Sequence, residues 1–181
     1  MALKPIEQLF GARRPVAERL YFDDDGRTPN SRYPVLVYRG EPSGQGSLAE
    51  PLEALFAANA WPPQWRGGVF DFHHYHSVSH ETLGVARGHA VLMLGGEDGS
   101  RLRVTRADVL VLPAGTGHCR MQASTDFELV GAYQPDQQRW DICRSDSAAD
   151  HDAAIARIAR ASTPDHDPVN GRNAGVPVLW R

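Results

Sequence analysis

His74 and His76 stand two apart, Glu81 follows, and His118 lies some 40 positions further on. These residue types at this spacing suit metal ligation. If residues 69–76 form a strand, Phe70, Phe72, His74 and His76 share one face, because side chains alternate with period two. Two histidines on one face can bite the same ion, and Glu81, on the next strand, can bring a carboxylate to that point. Pro113-Ala114-Gly115-Thr116-Gly117-His118 reads as a tight turn ending in a third imidazole. Pro fixes φ there and Gly relieves the sterics, so His118 has a defined entry. Three imidazoles and one carboxylate are borderline N/O donors. They suit Fe, Mn, Ni, Co or Zn better than Mg or Ca. Four protein ligands around a six-coordinate ion leave two positions for water, substrate or dioxygen. The reading is one divalent transition metal per chain, held by His74, His76, Glu81 and His118. The competing reading is four hydrogen-bonded polar residues on barrel rims, without metal. Buried groups of this kind are expensive to satisfy without a partner, which favours the metal.

The neighbours sort by the same alternation. His73 faces away from His74. His80, beside Glu81, is expected to orient a ligand or lie at the surface. Arg120 and Gln122 share the face of His118 if that strand runs on, and could then hold an anionic or carbonyl group; a bulged strand end is the alternative. Phe70 and Phe72 would line the same interior as core, and Tyr133 reaches it from the last strand. Cys119 alternates away from His118 and reads as a small buried hydrophobe. Trp61 and Trp65 are expected to pack helix against sheet. His89, His151 and His166 read as surface residues.

The elements that must position these groups are short. Tyr33–Tyr38 reads as a strand. Ser47–Trp61 reads as a helix with a Ser47/Glu50 capping box, stopped by Pro62-Pro63. Seven strands are expected at 69–76, 81–86, 90–94, 101–105, 108–112, 118–122 and 127–133, with Gly-containing turns between them. That pattern argues for an all-β antiparallel barrel or jelly roll. A C-terminal helix is expected over 147–160, followed by a Pro/Gly-rich tail packed down by Trp180. Residues 1–20 are mixed, with room for a short strand or arm. Asp23-Asp24-Asp25-Gly26 reads as a solvated turn, since the loop lacks the spaced oxygens of an EF-hand.

Gly68, His74, His76, Glu81 and Gly88 match the first cupin motif, and Pro113, Gly115 and His118 match the second. The chain resembles the cupin superfamily and, more loosely along its whole length, small bacterial cupins of the YjlB-like type. Two positions depart: Ala107 stands where the second motif has Gly, and Gln122 where it has Asn. Ala107 costs little if its turn does not need φ > 0. The resemblance implies a double-stranded β-helix of RmlC-like type with the metal inside, and a homodimer. Residues 1–181 are read as a single cupin domain. Its barrel core spans about 68–135, its N-terminal strands and helix 16–61, and its C-terminal helix and tail 145–181.

Composition bounds the function. A net charge of −3 excludes a generally basic nucleic-acid surface. No apolar run reaches the roughly 20 residues needed to cross a bilayer, nor forms a signal peptide, so a cytoplasmic protein is expected. The 17 Gly and 13 Pro fit a turn-rich β chain. Two cysteines make no disulfide framework. Three function classes remain. The first is a metal-dependent oxygenase, isomerase or lyase acting on a small polar molecule. The second is a module that binds or senses a small ligand without turnover. The third is a scaffold for a protein partner.

Overall fold

The apolar runs pair into two antiparallel sheets in the computed structural model of the protein, which describes residues 3–134, 136, 139–145 and 150–181. The six-stranded sheet is built from β1 (Glu18–Leu20), β2 (Val35–Tyr38), β3 (Pro63–Gly67), β5 (Glu81–Arg87), β8 (Val109–Leu112) and β10 (Glu128–Tyr133). Its spatial order is β1-β2-β8-β5-β10-β3. The five-stranded sheet takes β4 (His74–Tyr75), β6 (His89–Leu94), β7 (Ser100–Thr105), β9 (His118–Ala123) and β11 (Cys143–Arg144), in the order β11-β4-β9-β6-β7. The result is a two-sheet jelly roll. Among the described residues no ladder joins the sheets edge to edge.

Burial explains why β5 reads as a continuous apolar run rather than an alternating one. Residues Glu81–Ala86 are buried throughout. One face meets the opposite sheet, where Leu83, Val85, Leu92, Leu94, Leu110 and Leu129 share a core. The other face is covered by helix α2 (Ala49–Ala58), through Leu52 and Phe56. Helix α1 (Pro5–Phe10) and the C-terminal tail extend this second core with Leu9, Phe10, Val176 and Trp180. The Trp180 indole donates to the Pro34 carbonyl at 2.9 Å. The buried Asp167 carboxylate ties the tail down further. It accepts from Tyr38 Oη at 2.7 Å and from the amides of Val169, Asn170 and Val176.

Several boundaries differ from expectation, each for a physical reason. The first expected strand shrinks to His74–Tyr75, and residues 69–73 run as a bent loop held by Arg120 N–H on the Phe70 carbonyl at 2.8 Å. Helix α2 starts at Ala49 with Leu48 as its N-cap, and the Ser47/Glu50 capping box does not form. Leu48 is buried and its amide bonds the Ala86 carbonyl, so docking on the sheet sets the entry, while Ser47 Oγ accepts from Ala49 N–H at 3.2 Å. The C-terminal helix α3 runs His151–Ile158 and buries Ala154, while Ile155 stays exposed. The expected start at Ser147 lies outside the described residues, as does Pro135. Helix α4 (Val176–Leu179) forms a single turn in the tail. Ala107 has φ +75°, so its turn does need the left-handed region, and the alanine carries the strain that the motif glycine avoids.

Candidate metal centre

Each ligand candidate arrives from a different part of the jelly roll. His74 pairs directly with His118 across β4 and β9. His76 follows one residue after β4. Glu81 opens β5 opposite Tyr133 on β10. The two sheets therefore contribute His74 and His118 from one side and Glu81 and Tyr133 from the other. One ring nitrogen from each of His74, His76 and His118 lies within 4.8 Å of the others, and all three residues are buried. Glu81 Oε2 faces the group, 3.5 Å from His76 Nε2 and 3.4 Å from His118 Nε2.

The imidazoles are oriented by backbone carbonyls. His74 Nδ1 meets Phe72 O at 3.0 Å and His118 Nδ1 meets Thr116 O at 3.0 Å. His76 Nδ1 meets the Asp141 carbonyl. A carbonyl only accepts, so each Nδ1 carries the proton and each Nε2 keeps its lone pair for a ligand role. Asp141 is itself anchored, its carboxylate accepting from the Ser77 amide at 2.7 Å and from the Ser77 hydroxyl. The Pro113–Gly117 turn before His118 is pinned by several bonds. Gly115, at φ +93°, gives its amide to the His76 carbonyl at 2.8 Å. Ala114 N–H donates to His80 Nδ1 at 2.9 Å. Asn30 Oδ1 accepts from Gly117 N–H at 3.2 Å.

Electrostatics distinguish the ligands. Burial pushes the Glu81 carboxyl up, but His76 and His118 outweigh it and hold the group below the usual carboxylate range. Burial lowers His76, yet Glu81 more than compensates, and its imidazole ends above the ordinary value. His74 is driven down to about 3, by burial first and by His118 second. Burial and the Glu81 charge keep the Tyr133 phenol neutral. It donates to Glu81 Oε1 at 2.6 Å and accepts from Trp65 Nε1 at 3.2 Å. The other carboxylate oxygen, Oε2, is buried and has no hydrogen-bond partner. A cation held by the histidine cluster would satisfy it. The three buried histidines could hold a metal, and Glu81 Oε2 lies beside two of them.

A cavity of about 430 Å³ runs from this cluster to the surface, within the roughly 300–1,000 Å³ range of small-molecule sites. Its lining includes Phe70 and Tyr133 together with the four candidate ligands. The other expected pocket residues fall elsewhere. Phe72 is half-buried behind Phe70, with the Arg144 guanidinium 4.2 Å over its ring. Phe70 is 45% exposed at the cavity mouth rather than in the core, because residues 69–73 leave the sheet. The β6–β9 register slips between Val91 and Leu92, and this bulge turns Gln122 to solvent. Arg120 is half-buried behind Gly68. His80 is buried, pushed down to about 4 by burial, and holds the 113–117 turn instead of joining the histidine cluster. Trp65 lines the cavity, whereas Trp61 packs under helix α2 and donates to the His166 carbonyl. The double proline before Trp65 hides its strand, β3. Trp140 and Asp141, absent from the sequence reading, lie in an irregular segment with no periodic signal.

No protein-family model matches the chain. Solved structures similar to it include a DUF861 family protein from Thermotoga maritima, at 21% identity and TM-score 0.31, covering 45% of this chain and 86% of that one. They also include RmlC from Streptococcus suis, in complex with dTDP-D-xylose, at 13% identity and TM-score 0.37, covering 69% and 72%. Among curated sequences, the uncharacterized protein YjlB of Bacillus subtilis (strain 168) is 35% identical over 161 residues, which is 88% of this chain and 94% of YjlB. Its two-sheet jelly roll carries paired motifs that resemble those of cupins, and identity of that level along nearly both full lengths means that the chain belongs to the YjlB family.

Proposed function

We propose that this cupin holds one divalent transition metal, Fe, Mn, Ni, Co or Zn, through His74, His76, His118 and Glu81, and uses it as an enzyme of the oxygenase or isomerase type on a small polar molecule. The observation that carries the reading is the orientation of the cluster. Three Nδ1 atoms are tied to carbonyls, and the buried Glu81 Oε2 is left without a hydrogen bond in front of His76 and His118. A metal bound there supplies Lewis acidity to a ligand oxygen and, in the case of iron, redox capacity. The chain's own residues do the rest. Tyr133 holds Oε1, so Glu81 offers one oxygen and leaves coordination positions free for the reactant. The Asp141 and Thr116 carbonyls fix two imidazole planes. Trp65, Phe70 and Trp140 line the cavity and would pack against one end of a bound molecule.

The alternative keeps the same site as a ligand-binding or sensing module without turnover. Product formation supports the enzyme; a ligand-induced change at the metal without product supports the module. The reading also places the protein in the cytoplasm, where its free Cys119 and Cys143 suit a reducing compartment, and as a homodimer by family resemblance. Among the described residues no helix is long and apolar enough to cross a membrane. The test is elemental analysis of protein purified without added metal, with His76→Ala alongside. About one equivalent of metal is expected in the unaltered protein, and most of it is lost in the variant. Full retention in His76→Ala would sink the assignment.

A further inference from the structure

We propose that the cavity takes a planar aromatic molecule carrying two adjacent oxygen donors, with the oxygens at the metal and the ring against Phe70 and Trp140. The inference rests on the metal reading above and narrows it to a ligand class. Beyond the ligand cluster and Tyr133, the cavity is walled by Trp65, Val69, Phe70, Leu83 and Trp140, with Gln64 as the polar side chain. Among the described lining residues there is no Lys or Arg. The Arg120 guanidinium stands behind Gly68 rather than on the lining, so a phosphate or a polycarboxylate would meet no basic side chain on the walls beyond the histidine cluster. A polyol would bury hydroxyl groups with too few partners, each at the cost of an unmade hydrogen bond. An aryl body fits such walls instead.

Two large aromatic side chains are held open at the mouth. Phe70 is 45% exposed and Trp140 is 40% exposed, yet both line the cavity. Neither is adrift. The Phe70 ring stacks on Phe72 at 4.8 Å, and Trp140 lies parallel to Tyr133 at 5.9 Å with 14° between the planes. Phe70 also stands 5.1 Å from the His74 ring and Trp140 5.7 Å from the His76 ring. The two exposed faces thus border the imidazoles at the point where a ligand would leave the metal. At that end, four protein ligands on a six-coordinate ion leave two positions, which one pair of adjacent oxygens fills.

Two hydroxamates test this, because they share one chelating group and differ in a ring. Benzohydroxamate and acetohydroxamate are titrated into zinc-loaded protein by calorimetry, and zinc content is measured in every sample. Benzohydroxamate is expected to bind about tenfold tighter. Phe70→Ala and Trp140→Ala are each expected to cut that preference about threefold or more while zinc content holds, in line with the loss of one aromatic contact. Should an alanine variant fail to fold, the Phe70→Leu and Trp140→Leu pair is read instead. Equal affinity for the two hydroxamates, binding of neither by zinc-loaded protein, or a preference untouched in both variants overturns the proposal and leaves the metal reading standing. Should zinc not load, the same comparison is run with whichever of nickel, cobalt, manganese or iron does, and failure of the unaltered protein to take up any of the five overturns the metal reading itself.

Discussion

At the residue scale, Tyr133 and Glu81 would decide how many coordination positions remain open on a metal bound at the proposed site. The phenol at 2.6 Å occupies Oε1 and leaves Oε2 for a cation. Tyr133→Phe keeps the ring and removes the donor, freeing Oε1 to compete for the metal. Metal affinity, measured by chelator competition, should shift by about tenfold or more, as for other residues that orient ligands. An unchanged affinity would show that the bond is not tuning Glu81. The imidazoles set the pH response. Metal requires neutral histidines, so protons and metal compete. His76, raised by Glu81, takes its proton first as pH falls, while His74, driven down to about 3, stays neutral. Bound metal should therefore fall between about pH 7 and 5, a window that spans the ordinary histidine pKa of about 6.5. A flat metal content across that window would count against His76 as a ligand.

At the element scale, the cavity wall depends on a close approach between two strands. Gly131 on β10 faces Trp65 on β3, and a Cβ there would come within 2.1 Å of the indole. The indole is rigid and cannot yield by bending. Gly131→Ala must swing Trp65 away, breaking its bond to Tyr133. The expected cost is about 1–3 kcal/mol of stability, as for other overpacked sites. Denaturant unfolding reads it, and changed tryptophan emission should accompany it; full native stability would contradict this packing. The loop at 69–73 shows where period two misleads. The alternation is correct for His74 and fails for Phe70, because the backbone there bonds only once to β9 through Arg120 N–H. Gln122 fails for a related reason: one bulge in β9 reverses the face of everything beyond it.

At the scale of the whole molecule, the metal would tie one sheet to the other. His74 and His118 belong to the five-stranded sheet and Glu81 to the six-stranded one, with no ladder between them among the described residues. A ligand that binds only the folded state stabilises it by about 2.7 kcal/mol at one hundred times its Kd. For a chain of this length that corresponds to a rise of about 5–10 °C in Tm. Adding the divalent metal that the protein is found to bind to chelator-stripped protein should produce that rise, and His76→Ala should abolish it. No shift in the unaltered protein would argue against a metal bridging the sheets.

The sequence by itself determined the strand series from Glu81 to Tyr133 and the two motifs, because local spacing encodes both. Period two, glycine at turns and proline before His118 are properties of neighbouring residues. It also put His74, His76, Glu81 and His118 forward as one group. Only the tertiary structure decided what surrounds them. Trp65, Trp140 and Asp141 reach the site from segments with no periodic signal. His80 turned out to brace the 113–117 turn, and Ala107 to need a positive φ. Those outcomes depend on which backbone carbonyls, sheet faces and bulges meet across the fold. Such contacts join residues far apart in the chain, and local spacing carries no record of them.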